Sequence, residues 1–465
     1  MSAPTWVSDA VFYQIFPERF ANGDSSNDPP HPANWNEDMP TRENFFGGDL
    51  AGILAHADHL TRLGVNALYT TPIFKAETSH KYDTTDYRQI DPAFGTLETF
   101  KSLLHGLHDR GIRWILDGVF NHCGDRFPAF KDAVEKGRSS PYWDWFFIDD
   151  SLPFQTDPPS YQTCGGAAFL PKLNTSNPEV QHHVLDTIAY WLEQGADGWR
   201  LDVPWKVDMR LWTKVRERAL SLNPDAYIVG EVWRGTADWI RGDNVHGVMN
   251  YRLRAHILDY ALFDHLDAED FVYEVAYLLR EHGETAPYHL TLLGSHDTPR
   301  LLTLARGNIA RTRIAITLQL TLPGAPMIYY GDEIGMEGEN DPDCRRPMIW
   351  DERRWNQPIW ETTCTLIALR HAHPALRSLH VEPIKTWDRV LVFARREQED
   401  IVIVVANTSI ARADFRFPIP PEYSTFTWRE VFSGKHMTVE QGCLSLRPLP
   451  AQSVFVFVPE RDPQP

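Results

Sequence analysis

The chain has 465 residues, 43% hydrophobic and 23% charged, with a formal net charge of −18. That length exceeds one ordinary core, so two or three domains are expected, although an α/β barrel can take up most of it. The acidic balance and the lack of a basic stripe exclude a nucleic-acid partner, and no apolar run reaches the roughly 20 residues that cross a bilayer.

The first residues, Met1 to Trp6, lack the basic and apolar regions of a signal peptide, which predicts a cytoplasmic protein. Cys123, Cys164, Cys344, Cys364 and Cys443 are scattered and never spaced as Cys-x-x-Cys, so free thiols in a reducing compartment are expected. Aromatics make up 12% of the chain, with 16 Trp; flat apolar rings suit ligands that combine an apolar face with many hydroxyls.

From Ala10 to about Gly331 short apolar runs alternate with helical segments, the pattern of βα units around a parallel sheet. The runs are Val11–Phe16, Ala67–Thr71, Trp114–Phe120, Gly198–Val203, Ala226–Val229, Gly247–Met249, Leu290–Leu293 and Ala325–Tyr329, the eight strands of a (β/α)8 barrel. Ile53, Leu54, Ala57, Leu60 and Leu63 recur at helical spacing up to Gly64; Phe100, Leu103, Leu104 and Leu107 do so up to Gly111. After the third strand, residues 121–176 are rich in aromatics, Pro and Asp without clear periodicity, which predicts an inserted subdomain. Asn177-Pro178 then opens a helix with its apolar face on Val180, Val184, Leu185, Ile188, Trp191 and Leu192. The barrel is thus expected over 1–120 and 177–376. Residues 377–465 change to alternating strands, Val390–Ala394, Ile401–Val405, Phe415–Phe417, Thr425–Val431 and Ser453–Val458, a C-terminal antiparallel β-sandwich domain ending in a frayed tail, Glu460–Pro465.

Active sites of such barrels sit at the carboxyl ends of the strands. In Gly198-Trp199-Arg200-Leu201-Asp202-Val203, strand alternation puts Arg200 and Asp202 on one face and Trp199, Leu201 and Val203 on the other. The guanidinium should hold Asp202 as an anion, a nucleophile or a plain strand-end ion pair. Other strand ends add Asp117, Asn121 and His122, then Glu231 and Trp233, then Ser295, His296 and Asp297. Glu231, flanked by Tyr227-Ile228-Val229 and Val232-Trp233, is expected to be desolvated and to hold a proton. Two carboxyls with opposite tendencies are what glycoside hydrolysis needs, with retention at a separation of about 5 to 5.5 Å and inversion at a wider one. A metal-hydrolase reading takes His122, His296, Asp117 and Asp297 as ligands instead, although neither His lies in a paired motif. In the loop Asn22–Asp28, the side chains of Asn22, Asp24, Asn27 and Asp28 offer oxygens to a hard cation such as calcium, and turn chemistry accounts for the same composition.

Asp117-Gly118-Val119-Phe120-Asn121-His122, Gly198-Trp199-Arg200-Leu201-Asp202, Gly230-Glu231-Val232-Trp233 and Ser295-His296-Asp297 resemble, in order, the four signature regions of the α-amylase superfamily of glycoside hydrolases. His80–Tyr87, Leu170–Asn174 and Ile328–Met336 match further, and the similarity spans essentially the whole chain. Phe12–Asp24, Pro171-Lys172-Leu173-Asn174 and Asp341–Met348 are most similar to the neopullulanase, cyclomaltodextrinase and maltogenic amylase group. The resemblance implies Asp202 as nucleophile, Glu231 as general acid/base and Asp297 as transition-state stabiliser. It implies that Arg200, His122 and His296 hold the reacting glucose together with Asp117, that Tyr82 stacks beneath it, that Asp341 and Arg345 contact the next sugar, and that Trp233 lies on the acceptor side. It also carries a structural calcium site onto Asn22, Asp24, Asn27, Asp28, Asp49 and the Gly47 carbonyl.

The implied substrate is an α-1,4-linked maltooligosaccharide, with cyclodextrins or pullulan and some transglycosylation beside it. An α-glucosidase, a 4-α-glucanotransferase and a non-catalytic, transporter-associated relative are the alternatives. Two features depart from the group. Its members carry a leading β domain that helps build a dimer, whereas this chain begins a few residues before its first strand, which leaves the oligomeric state open, a monomer included. After the nucleophile stands Pro204-Trp205-Lys206-Val207, where smaller polar residues are usual, a change that bears on the acceptor side.

Overall fold

The structure is a computed structural model that describes residues 3–151, 154, 157–241 and 244–460. Eight parallel strands form the first sheet: β1 (Phe12–Ile15), β2 (Ala67–Thr70), β3 (Arg113–Gly118), β4 (Gly198–Leu201), β5 (Tyr227–Gly230), β6 (Gly247–Val248), β7 (Leu290–Leu292) and β8 (Ala325–Tyr329). Their order is β6-β5-β4-β3-β2-β1-β8-β7, and the ring closes where Met249 bridges Leu290 in parallel and Asn250 N donates to Leu290 O at 2.8 Å. The runs are apolar throughout because both faces are covered: Phe12, Tyr69, Ile115, Val229 and Met327 fill the barrel interior, while Tyr13, Leu68, Trp114, Trp199 and Ile328 pack outward into the helical layer. The (β/α)8 barrel expected from the apolar runs is the observed fold.

Local differences have physical causes. The helix expected across Ile53–Leu63 breaks at His56 into Leu50–Ala55, whose N-cap Asp49 accepts from Gly52 N, and Ala57–Leu63, which ends on the left-handed Gly64. An antiparallel ribbon, Phe74–Ala76 with Thr84–Ile90, follows β2 and was not legible, since its strands sit among polar turn residues. Among the described residues the inserted segment contains one α-helix, Pro128–Lys136, followed by short 3-10 turns at Gly137–Ser139 and Trp143–Trp145. β4 stops at Leu201, short of the expected Val203, because Val203 adopts φ 34°, ψ 51°, a left-handed conformation that costs a β-branched residue on the order of 1–3 kcal/mol.

The last fifth of the chain folds as β9 (Val381–Trp387), β10 (Val390–Glu397), β11 (Asp400–Asn407), β12 (Ala413–Pro418), β13 (Thr427–Glu430), β14 (His436–Met437), β15 (Cys443–Leu449) and β16 (Ser453–Glu460). A sheet of order β9-β10-β11-β16-β13-β14 faces the pair β12-β15 across a core that includes Val392, Ile403, Phe417, Trp428 and Leu444. β9, β14 and β15 go beyond the expected strands. Of the expected tail, Glu460 closes β16 and pairs with Arg429 at 2.7 Å; residues 461–465 lie outside the described residues. Arg395, a buried guanidinium, ties this domain to the barrel by donating to the carbonyls of Thr321, Ser378 and His380, and within the barrel Arg370 of the helix Gln357–Ala372 does the same for Leu320, Gly324 and Leu376. Among the described residues, no helix is long and apolar enough to cross a membrane, and all five cysteines are unpaired.

Burial lowers His183 and His282 to about 4 and His246 to about 3, so the folded chain keeps these imidazoles neutral where the unfolded chain, with a value near 6.5, protonates them. Their contribution is complete above about pH 6.5 and is lost as pH falls toward 4. Thermal melts across this window are expected to show a steady fall in Tm; a flat Tm from pH 7 to 4.5 would contradict it.

Candidate functional site

Register builds the site. Asp117 of β3 lies opposite Arg200 of β4, so both side chains point the same way, and Arg200 Nη1 reaches Asp117 Oδ1 at 2.8 Å and Oδ2 at 3.0 Å. Asp202, two residues beyond Arg200, returns to the same face with Oδ1 2.9 Å from Nη1. Leu201 pairs with Gly230 of β5, which brings the following Glu231 beside Asp202, its Oε2 2.7 Å from Arg200 Nη2. One buried guanidinium thus bridges three carboxyl groups.

That sharing corrects the expected electrostatics. Burial, with the carboxylates of Glu231, Asp117 and Asp297, pushes Asp202 well above the ordinary carboxylate range against the pull of Arg200; burial also raises Asp117. The guanidinium cannot hold Asp202 as an anion by itself because Asp117 and Glu231 claim it too. Glu231 is buried as well, 5% exposed, and accepts from Val203 N at 3.1 Å and Trp233 Nε1 at 2.8 Å. The left-handed turn at Val203 therefore belongs to the site, not to the outward face expected of it.

Trp233 stacks on Tyr251 with centroids 3.6 Å apart and planes 10° from parallel. Tyr251 opens the helix after β6, and no motif marked it. Burial and the carboxylates of Glu231 and Asp297 raise its phenol. Tyr69 and Gln14, also unmarked, sit on β2 and β1. Tyr69 Oη donates to Asp117 Oδ2 at 2.6 Å, and Gln14 Nε2 donates to His296 Nδ1 at 2.8 Å. With Nδ1 accepting, neutral His296 carries its proton on Nε2, which donates to Tyr82 Oη at 2.6 Å; Tyr82 in turn donates to Asp117 Oδ2 at 2.9 Å. The Tyr82 ring lies parallel to His296, 5.4 Å away. Burial holds His296 well below 6.5 and His122 at about 4, and His122 Nε2 is buried with no hydrogen-bond partner among the described residues.

The side chain of Asp297 is 34% exposed, with Oδ2 3.1 Å from His296 Nε2 and Oδ1 3.3 Å from Arg345 Nη2. Arg345 also donates to His296 O at 2.9 Å and pairs with Asp341 at 2.8 Å, so the expected second-sugar residues join the same rim. The metal-ligand alternative does not fit this arrangement. Asp117 is taken by Arg200, Tyr69 and Tyr82, His296 has both nitrogens engaged, and among the described residues no three His, Cys, Asp or Glu side chains converge as a metal group.

The calcium-loop residues gather in one knot beside β1. Asp49 accepts from Gly23 N, Asp24 N, Gly52 N and Asn27 Nδ2, and Asp24 turns to Ser26. Asn22 Nδ2 donates to Asp28 Oδ1 at 2.6 Å; a Cβ on Gly47 (φ 82°) would stand 2.7 Å from that oxygen. Asn27 Oδ1 is buried without a hydrogen-bond partner among the described residues, and that orphaned acceptor fits a cation-binding loop.

Closely set carboxyl groups on the rim of a closed barrel are the equipment of glycoside hydrolysis, and a glycoside hydrolase is the class that fold and site define. The chain belongs to the α-amylase family: residues 14–358 match the alpha amylase catalytic domain and residues 382–454 the maltogenic amylase C-terminal domain. It is 44% identical over 464 residues to neopullulanase 2 of Thermoactinomyces vulgaris, covering 98% of this chain and 79% of that protein. A cyclomaltodextrinase of Geobacillus thermopakistaniensis (strain MAS1) is 44% identical over 422 residues, 90% of this chain and 72% of that one. Among solved structures, ligand-free cyclic α-maltosyl-(1→6)-maltose hydrolase from Arthrobacter globiformis superposes with a TM-score of 0.90 at 39% identity, covering 99% of this chain and 100% of that one.

Arg200→Met would leave the carboxyls of Asp117, Asp202 and Glu231 buried without their cation, a loss on the order of 3–5 kcal/mol. Urea unfolding should show a lower midpoint than wild type; an unchanged midpoint would refute the bridging role.

Proposed function

We propose that this protein is a retaining α-glucan hydrolase that cleaves α-1,4 bonds in short maltooligosaccharides, takes cyclodextrins or pullulan as well, and transfers sugars to acceptors. The observation that carries the reading is that Arg200 binds Asp202 through one terminal nitrogen and Glu231 through the other. Sharing one guanidinium supports placing the two carboxyl groups in the close class, about 5 to 5.5 Å apart, which leaves no room for an attacking water between them.

Asp202 attacks the anomeric carbon while Glu231 protonates the departing glycosidic oxygen, giving a covalent glycosyl ester; Glu231 then takes a proton from water or from an acceptor hydroxyl, which releases the sugar with its configuration kept. One guanidinium among three carboxyls favours a site that retains a proton, and the first step needs it on Glu231. Asp297 faces the positive charge that develops on the ring. Tyr82 forms the floor for the reacting glucose, Arg200, Asp117, His122 and His296 hold it, and neutral His122 offers its free Nε2. Asp341 and Arg345 contact the next sugar, and the exposed face of Trp233 serves the acceptor side. A second reading, a hydrolase of cyclic α-maltosyl-(1→6)-maltose, is favoured by the end-to-end match to the Arthrobacter enzyme.

Glu231→Gln is expected to lower kcat on maltotriose by about 10²–10⁴-fold, with the wild-type product first appearing as the α anomer by NMR. Equal turnover by wild type and variant, or a β product, would overturn the mechanism. Rates on maltotriose, β-cyclodextrin, pullulan, soluble starch and cyclic α-maltosyl-(1→6)-maltose rank the two readings.

We further propose that Asn22, Asn27, Asp28 and the Gly47 carbonyl hold a structural calcium ion, supported by the orphaned Asn27 Oδ1, while Asp49 pins the loop and Asp24 lies beside it. The ion would brace the loop after β1 and take no part in the chemistry. Chelation is expected to lower Tm and added calcium to restore it; an identical Tm with and without chelator would remove the site. The unpaired thiols support a cytoplasmic setting.

A further inference from the structure

Beyond the carboxylates, along the β3–β4 arc of the rim, a crevice of about 360 Å³ opens between the inserted subdomain and the turn Pro204–Lys206. Asn121, Tyr161, Gln162, Cys164, Lys172 and Lys206 are among its lining residues. It adjoins the proposed catalytic centre: Lys172 bridges His122, and the Cys164 thiol, raised by burial and then by the carboxylates of Asp202 and Glu231, is pulled back by a hydrogen bond with the Asn121 side chain and by Lys206. The other charged groups of this rim are largely paired: Arg200 with three carboxyls and Arg345 with Asp297 and Asp341. Lys172 and Lys206 differ. Among the described residues neither ammonium has a carboxylate partner, and Lys172 Nζ has only the Phe147 ring, 5.8 Å from its centroid. The half-buried Lys172 and the exposed Lys206 thus bring two cations without carboxylate partners to one crevice of a chain with net charge −18. A second observation is independent of charge. Asn121 is 2% exposed, and its Oδ1 has no hydrogen-bond partner among the described residues, an acceptor left for a hydroxyl donor.

We propose that this crevice binds a sugar carrying an anionic substituent, a phosphorylated glucose unit, with Lys172 and Lys206 facing the phosphate and Asn121 Oδ1 accepting from a sugar hydroxyl. A neutral sugar would satisfy Asn121 and leave both ammoniums unmatched; a bare anion would match the ammoniums and leave Asn121 unmatched. Lysine suits the task as a compact, rotatable donor to phosphate oxygens. Resting on the hydrolase reading, this extends its acceptor side to phosphorylated saccharides, taken as acceptors in transfer or held as the charged end of a substrate.

Calorimetric titration of the full-length protein at low salt tests the site without turnover, using glucose 6-phosphate, glucose and inorganic phosphate as probes. Glucose 6-phosphate is expected to bind at least about tenfold more tightly than glucose or phosphate, and Lys172→Gln and Lys206→Gln, each melting like wild type, to lower that preference by about tenfold, the scale of one charge-assisted hydrogen bond. Equal binding of glucose and glucose 6-phosphate, a preference untouched by both substitutions, or phosphate binding as tightly as the sugar phosphate would overturn the proposal. Maltotriose cleavage is assayed separately, so a failure there strikes the hydrolase reading and leaves the binding result standing.

Discussion

Arg200 is a cation that cannot give up its proton, placed where no water reaches it. A buried guanidinium is tolerable only if anions surround it, and here the register of three adjacent strands supplies them. Asp117 holds Nη1 with both oxygens and Asp202 shares that nitrogen, Glu231 faces Nη2, and the ring of Tyr69 lies 5.8 Å from the guanidinium carbon. The spacing between Asp202 and Glu231 is therefore set by a rigid planar group rather than by the loops that follow each strand. The same arrangement leaves Asp202 undercompensated, which suits the attack on a sugar proposed for it better than a strong ion pair would.

The surroundings avoid adding a second cation. Burial holds His80 and His122 at about 4 and His296 lower than ordinary histidine by a wide margin, so imidazoles that line the site act as neutral hydrogen-bonding groups. Had they been charged, each would draw on the carboxylates that Arg200 organises. The chain Gln14, His296, Tyr82, Asp117 runs from β1 to β3 across the rim and fixes the orientation of the Tyr82 ring. On the other side the Trp233–Tyr251 stack steadies the indole that donates to Glu231. Both carboxyl groups proposed to react are thus held by groups that cannot themselves gain or lose a proton near neutrality.

Much of this was legible because it is local. Apolar runs buried on both faces, with polar residues at their ends, announce barrel strands, and Asp117, Arg200, Asp202, Glu231, His296 and Asp297 follow from where those runs stop. What stayed hidden depends on contacts distant in sequence or on backbone geometry. Tyr251 gains its place only by lying on Trp233, and Gln14 reads as one more strand residue until His296 is set beside it. Val203 looks like a strand position, yet its N–H is needed by Glu231, and the backbone leaves the extended region to deliver it. The direction of the shift on Asp202 was misjudged for a similar reason: a neighbouring Arg in sequence says nothing of how many other carboxylates share it. In the C-terminal domain, β9 and β15 have mixed burial, so their alternation is too weak to stand out.

The carbonyl-capping arginine at the domain junction bears on how the chain is made. Thr321 ends the helix that leads into β8, and its carbonyl receives its donor from Arg395, 74 residues further on, whereas Gly324, at the mouth of β8, is served by Arg370 of the barrel's own last helix. A nascent chain emerging from the ribosome has all eight barrel strands in hand well before Arg395 arrives, and until then the carbonyl that ends the helix before β8 lacks this donor. The final fifth of the chain is in this sense a clasp, set last over a ring that its own strands have already closed.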